Sequence, residues 1–131
     1  MAPTLARAPD STGGAVRIHR VVPNIKATDI AATRDHYVQL YGFEVVMDMD
    51  WIVTLSSPED RMRQFSLITE DATAPEHPDI SIEVDDVDAA YAAALVRGAE
   101  IVHPLTDEPW GVRRFFHRDP SGTVINTLSH R

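Results

Sequence analysis

The sequence predicts an α+β fold: two tandem βαβββ modules that form an open, curved mixed sheet with the helices on its outer side. The order of short apolar strands and amphipathic helices occurs twice, and each predicted helix follows an Asp and ends at a Gly. The 131 residues suit one domain. We predict a flexible tail over 1–15 and a domain over 16–131, divided into module one (16–68), a linker (69–79) and module two (80–131).

Module one starts with a strand rich in branched apolar residues, from Ile18 to Ile25. Thr28 and Asp29 offer an N-cap, and apolar residues with helical spacing follow as far as Gly42, which favours the end of a helix. Three further strands are predicted at 43–47, 51–55 and 64–68.

Module two repeats this order. Apolar and polar residues alternate over 80–84, as in a strand with one covered face. Asp86 is the predicted N-cap of a helix whose apolar stripe includes Leu95, and Gly98 ends it. Strands are predicted at 100–102, 113–118 and 124–128, with a type I turn over Asp119–Gly122.

Composition limits the classes of partner. The chain has 12 basic and 20 acidic residues and a net charge of −8, which argues against nucleic acid. Such a charge would attract a cationic ligand, although solubility is the simpler reason for it. It has no cysteine, which excludes thiolate zinc sites and disulfides and fits the cytoplasm. The sequence contains no run of about 18 apolar residues, so no membrane span is predicted.

Four segments carry a family resemblance: Val21–Ile25, Asp29–Glu44, Ile82–Ala90 and Phe116–Gly122. Their order and spacing resemble the vicinal oxygen chelate superfamily, which includes glyoxalase I, extradiol dioxygenases, fosfomycin resistance proteins and bleomycin-binding proteins. The resemblance implies the fold, a homodimer and a cleft for a small molecule. It does not specify a reaction, because members do unrelated chemistry on one scaffold.

The resemblance also implies three positions for metal ligands, which fall here on Val22, Asp79 and Asn126. Val22 has no lone pair, so the set offers one carboxylate and one amide, too few good donors for a divalent ion. We therefore predict no metal and no cofactor. A shift of one residue would instead bring His19, His77 or Glu83 to the site.

Aromatic residues are predicted to line the cleft. Trp110, between Pro109 and Gly111, lies in a loop similar to that of bleomycin-binding members, where the Trp borders the ligand; it could equally cap the core or the dimer seam. Trp51 is predicted on the opposite wall or, equally, in the core. The predicted ligand-binding residues are Trp51, Asp79, Trp110, Phe115 and Asn126.

Two kinds of function follow. The first is a non-enzymatic homodimer that sequesters an aromatic or cationic small molecule in a dimer cleft. The second is a lyase, isomerase or dioxygenase with a displaced metal site, or a metal-free enzyme in which His117 or Glu83 acts as acid or base. A regulatory domain without chemistry of its own is a third possibility.

Overall fold

A computed structural model describes residues 16–69 and 74–131. The tail predicted over 1–15 and the linker residues 70–73 lie outside the described residues. Module one contains β1 (Ile18–Lys26), α1 (Ile30–Tyr41), β2 (Glu44–Asp48), β3 (Ile52–Ser56) and β4 (Gln64–Ile68). Module two contains β5 (Ile80–Val84), α2 (Val87–Arg97), β6 (Ile101–Glu108), β7 (Val112–Arg118) and β8 (Val124–His130). The predicted α+β fold of two βαβββ modules is confirmed.

All the strands belong to one eight-stranded sheet, in the order β2-β3-β4-β1-β5-β8-β7-β6. Within each module the first strand pairs in parallel with the last, as β1 does with β4 and β5 with β8. The two modules are joined by antiparallel pairing of β1 with β5, in which Val22 lies opposite Ser81. The two halves of the sheet are therefore continuous within a single chain.

Both helices have the caps that the sequence predicts. The Asp29 carboxylate accepts a hydrogen bond from the Ala32 amide at 3.0 Å, and that of Asp86 accepts one from Ala89 at 3.0 Å. Such a cap satisfies an amide that has no partner inside the helix. Gly42 and Gly98 end the helices in the left-handed conformation, at φ 78° and 75°.

The helices cover the strands on either side of the central β1–β5 pair. Helix α1 packs on β3 and β4 through a core of Val53, Leu55 and Leu67, and α2 packs on β7 and β8. Leu95, predicted to lie in the apolar stripe of α2, is 52% exposed, so this prediction is wrong. Both helices lie on one face of the sheet, so the opposite, concave face is lined by side chains of the strands and their loops.

Strand β6 is longer than predicted. The sequence predicts its end at Val102, because Pro104 cannot donate to a strand ladder, but the strand continues to Glu108. It is the last strand of the sheet and its register with β7 shifts twice, between Ile101 and Thr106. Edge position and irregular register are the conditions under which a strand accepts proline. The extension brings Glu108 beside the concave face.

None of the helices in the described parts of the chain is long and apolar enough to cross a bilayer.

Candidate ligand-binding site

A cavity of about 600 Å³ opens on the concave face of the sheet. Its lining comes from both modules of one chain: β1, β3, β4 and their loops on one side, and β5, β7, β8 and the β6–β7 turn on the other. The volume is in the range of small-molecule sites. The cleft thus lies between the modules of one chain, whereas the sequence analysis had placed it in a dimer.

Strand alternation selects the side chains that reach this cavity. On β1, Val22 and Asn24 line it, and on β8, Asn126 and Leu128 do. Residues two apart in a strand point to the same face, so each pair shares one side of the sheet. The predicted placement of Asn126 in the pocket agrees with the structure.

Asp79 does not line the cavity, contrary to the sequence prediction. It precedes β5 and is exposed, and its Oδ2 accepts a hydrogen bond from the Val124 amide at 2.9 Å. Its backbone amide in turn donates to the Val124 carbonyl at 2.8 Å. Asp79 therefore ties the start of β5 to the start of β8 and is held away from the ligand space.

Ser81 takes the central position instead. It pairs with Val22 on β1 and with Asn126 on β8, so the three lie side by side across adjacent strands. The Ser81 hydroxyl oxygen accepts from Nδ2 of Asn24 at 2.9 Å and from Nδ2 of Asn126 at 3.1 Å. The sequence analysis missed Asn24, although alternation along β1 from Val22 would have found it.

This amide–hydroxyl cluster, Asn24, Ser81 and Asn126, does not fit a divalent metal ion. Its potential metal donors are neutral amide and hydroxyl oxygens, and no carboxylate or imidazole belongs to the cluster. Among residues 16–69 and 74–131, no group of three or more His, Cys, Asp or Glu side chains is placed to hold a metal. Of the alternatives from a shifted alignment, none of His19, His77 and Glu83 is among the described residues that line the cavity.

Two tryptophans form part of the cavity wall. Trp51 lies in the turn between β2 and β3, and Trp110 in the turn between β6 and β7, which are the corresponding turns of the two modules. Their rings meet edge to face, with centroids 5.9 Å apart and an interplanar angle of 65°. Both were predicted to border the ligand, but on opposite walls. They instead join the two hairpins in one aromatic wall.

Arg114 packs against the Trp110 ring of this wall. Its guanidinium lies 5.0 Å from the centroid of the Trp110 ring and 4.8 Å from that of Phe116. Nη2 donates to Oε2 of Glu108 at 3.1 Å, and both side chains are about 95% buried. A guanidinium between two aromatic faces is held by cation–π attraction as well as by its ion pair. Arg114 was not predicted from the sequence as a site residue, because an Arg on a strand is usually solvated.

Phe115 and His117 face the opposite side of β7 from the cavity. Phe115 is 1% exposed and packs against Tyr91 of α2, with ring centroids 4.9 Å apart. His117 stacks on Phe115 at 5.4 Å, and its pKa is lowered mainly by burial. Neither residue is among the described residues that line the cavity, so the structure does not bring Phe115, predicted to bind the ligand, or His117, predicted as an acid or base, to this site. Alternation places Phe116 on the concave side instead, beneath Arg114.

The charged groups of the lining are basic. Arg20, Arg61, Arg114 and His130 border the cavity, and among the described residues that line it there is no carboxylate. Glu83, predicted as a weak acid–base candidate, lies behind Arg20, with Oε1 3.0 Å from its Nε. The Glu83 carboxylate pairs with Arg20, which lines the cavity, but does not itself border the cavity.

Fold and cavity together define a class: a protein of two βαβββ modules with a ligand-sized space on the concave face of a continuous sheet. Residues 17–127 match the sequence model of the Glyoxalase/Bleomycin resistance protein/Dioxygenase superfamily, and the chain belongs to that superfamily. The resemblance found in the sequence is thereby confirmed. No curated protein matches this chain.

Solved structures share the fold at low sequence identity. A superfamily member from Vibrio splendidus 12B01 is 18% identical, with 88% of this chain and 99% of that one covered and a TM-score of 0.64. Methylmalonyl-CoA epimerase from Streptomyces coelicolor is 19% identical, with 87% and 99% covered and a TM-score of 0.64. The Mn(II)-bound glyoxalase from Novosphingobium aromaticivorans is 19% identical, with 88% and 40% covered and a TM-score of 0.64. These likenesses show the fold alone.

Proposed function

We propose that this chain is a small-molecule-binding protein that holds a planar aromatic ligand in the cavity between its two modules without a metal ion. The observation that carries the proposal is the amide–hydroxyl cluster, which occupies the floor where metal-dependent relatives are expected to hold their ion. The absence of cysteine from the sequence supports a reducing compartment, the cytoplasm, as its location.

The aromatic wall supports a planar ligand. Trp51 and Trp110 both border the cavity, and Arg114 and Glu108 fix Trp110 before any ligand arrives. A ring already fixed in place loses little conformational entropy on binding, which favours affinity. Each aromatic contact contributes about 0.5–1.5 kcal/mol beyond the area it buries.

The lining residues do not favour the cationic ligand predicted from the net charge. The aromatic wall could attract a cation, but the lining also supplies Arg20, Arg61 and Arg114 and, within the described residues, no acid, so a cation would be repelled. Of the aromatic or cationic ligand predicted from the sequence, we therefore propose only the aromatic one.

The enzymatic alternative has no comparable support. A displaced metal site needs donors that the described residues do not bring together, and the acid–base candidate His117 faces away from the cavity. The glyoxalase and epimerase named above are evidence for the fold and leave the reaction open.

Tryptophan fluorescence provides the test, because both tryptophans of the chain border the cavity. The protein is titrated with neutral, anionic and cationic derivatives of naphthalene, quinoline and anthraquinone, with calorimetry as a second readout. We expect saturable binding with one site per chain, unchanged by EDTA. Trp110→Leu should weaken it about tenfold, since stacking contributes on the order of 1 kcal/mol. Failure of every compound to bind, or binding that EDTA abolishes, would refute the proposal.

A further inference from the structure

Building on the proposed function, we infer that the natural ligand is an organic anion. Its carboxylate or phosphate group lies against Arg20 and Arg61, while its ring lies against the wall formed by Trp51 and Trp110. All four residues border the same cavity. The inference narrows the ligand from any planar aromatic to one with a negative charge.

The first support is the segregation of charge. The chain as a whole has 20 acidic and 12 basic residues and a net charge of −8. The lining reverses this balance, with three arginines and His130 and, among the described residues, no Asp or Glu. A positively charged cavity within a negatively charged protein attracts anionic ligands.

Arg20 is positioned but only partly neutralised. Its Nε lies 3.0 Å from Oε1 of Glu83, which fixes the guanidinium at the edge of the cavity. The same carboxylate lies 3.7 Å from Nε2 of His130 and 3.9 Å from Nδ1 of His19. A guanidinium has five N–H donors, so Arg20 can bind a second anion in addition to Glu83. The Arg20 side chain is 33% exposed, so a ligand can reach it.

Arg61 has no acidic partner in the described parts of the chain. It lies between β3 and β4 and borders the cavity, whereas Arg63 in the same loop does not border it and pairs with Asp60 at 3.5 Å. An unpaired arginine beside an apolar space is suited to the forked recognition of a carboxylate or phosphate.

Arg114 is not assigned to the anion. Its charge is compensated by Glu108 at 3.1 Å, and its two faces are covered by Trp110 and Phe116. Separating it from Glu108 would leave a buried carboxylate unpaired, which is costly. The anion is therefore expected at the exposed arginines.

Three ligands that share a ring and differ in charge provide the test: 2-naphthoate, 2-naphthamide and 2-naphthylmethylammonium. We expect the intact protein to bind 2-naphthoate about tenfold more tightly than 2-naphthamide, as one charge-assisted hydrogen bond would give. The cation should bind most weakly. Raising the salt concentration should weaken binding of the naphthoate and leave that of the amide unchanged.

Arg61→Gln should narrow the difference between the affinities for 2-naphthoate and 2-naphthamide, since only Arg20 would remain beside the anion, while the matched control Arg63→Gln leaves both affinities unchanged. If the amide or the cation binds as tightly as the naphthoate, the inference is wrong and the proposed function stands. If no ring compound binds in any charge state, both are wrong. The comparison of the three probes on the unmodified protein decides the question even if a variant fails to fold.

Discussion

Arg114 combines two roles that are seldom found in one side chain, since it is buried with its ion-pair partner and also forms part of a binding wall. Its charge is compensated by Glu108, and its planar group fills the space between Trp110 and Phe116. A buried ion pair adds little net stability compared with an apolar pair of similar volume, but losing one partner leaves an unpaired charge. The conformation of the aromatic wall therefore depends on both members of the pair.

Arg114→Met should lower the free energy of unfolding by about 3–5 kcal/mol, because the buried Glu108 would lose its guanidinium partner and keep only His103, whose Nε2 lies 3.7 Å from Oε1. Arg114→Met combined with Glu108→Leu should recover most of that loss. Urea denaturation of the two variants checks this. Equal destabilisation in the single and the double variant would contradict the account of the pair.

His117 should make folding sensitive to acid. Burial lowers its pKa below the ordinary value of 6.5, so the folded state binds a proton less readily than the unfolded state does. The stability that follows is complete above about pH 6.5 and is lost as the pH falls below it. His117→Gln should flatten the fall in unfolding free energy between about pH 7 and pH 5, whereas the exposed control His36→Gln should not. Identical pH profiles for all three proteins would contradict this assignment.

At the scale of the elements, local sequence signals determine the helices, and long-range pairing determines the site. The residues from Asp29 to Gly42 carry their own start and stop signals, so the helix bounds follow from the sequence. For β7, alternation predicts that Phe115 and Phe116 point to opposite faces, but it does not say which face is concave. That choice depends on packing against α2, which brings Tyr91 to Phe115.

The contact of Trp51 with Trp110 likewise could not be predicted from local sequence. Each residue lies in a turn that the sequence locates to within a few positions. Their meeting depends on the curvature of a sheet that joins both modules, and no local pattern encodes it. The amide–hydroxyl cluster likewise depends on the pairing of β1, β5 and β8, which brings Asn24 to Ser81.

The two helix caps should contribute equally to stability. Asp29→Ala and Asp86→Ala each remove a carboxylate that accepts a helix amide at 3.0 Å, so each should cost about 1 kcal/mol. Asp35→Ala, an exposed position within α1, is the control and should change stability by about 0.5 kcal/mol or less. Thermal unfolding of the three variants checks this, and a control as destabilising as the caps would contradict it.

At the scale of the whole molecule, the outer face of the central strands is apolar and lies between the helices. Helix α1 covers β3 and β4, and α2 covers β7 and β8, so β1 and β5 lie between them. On β1, Val21 and Ile25 are 45% and 41% exposed. Apolar side chains that alternate along an uncovered strand are typical of a face that another molecule covers.

We expect a second copy of the chain to cover this face, in agreement with the homodimer predicted from the sequence. Light scattering after size exclusion should give twice the mass of one chain. Val21→Lys should give monomers, whereas Val96→Lys, at an 89% exposed position of α2, should leave the dimer intact. A monomeric parent protein, or a dimer unaffected by Val21→Lys, would contradict this expectation.

We propose that an amide–hydroxyl cluster takes the place of a metal site in this superfamily member. The most direct measurement is the metal content of the protein after incubation with Zn²⁺, Mn²⁺, Ni²⁺ or Fe²⁺ and dialysis, together with ligand titration in EDTA. Because Val22, Ser81 and Asn126 offer no carboxylate or imidazole, we expect substoichiometric metal and unchanged ligand affinity. One tightly held ion per chain, with binding lost on chelation, would contradict the account.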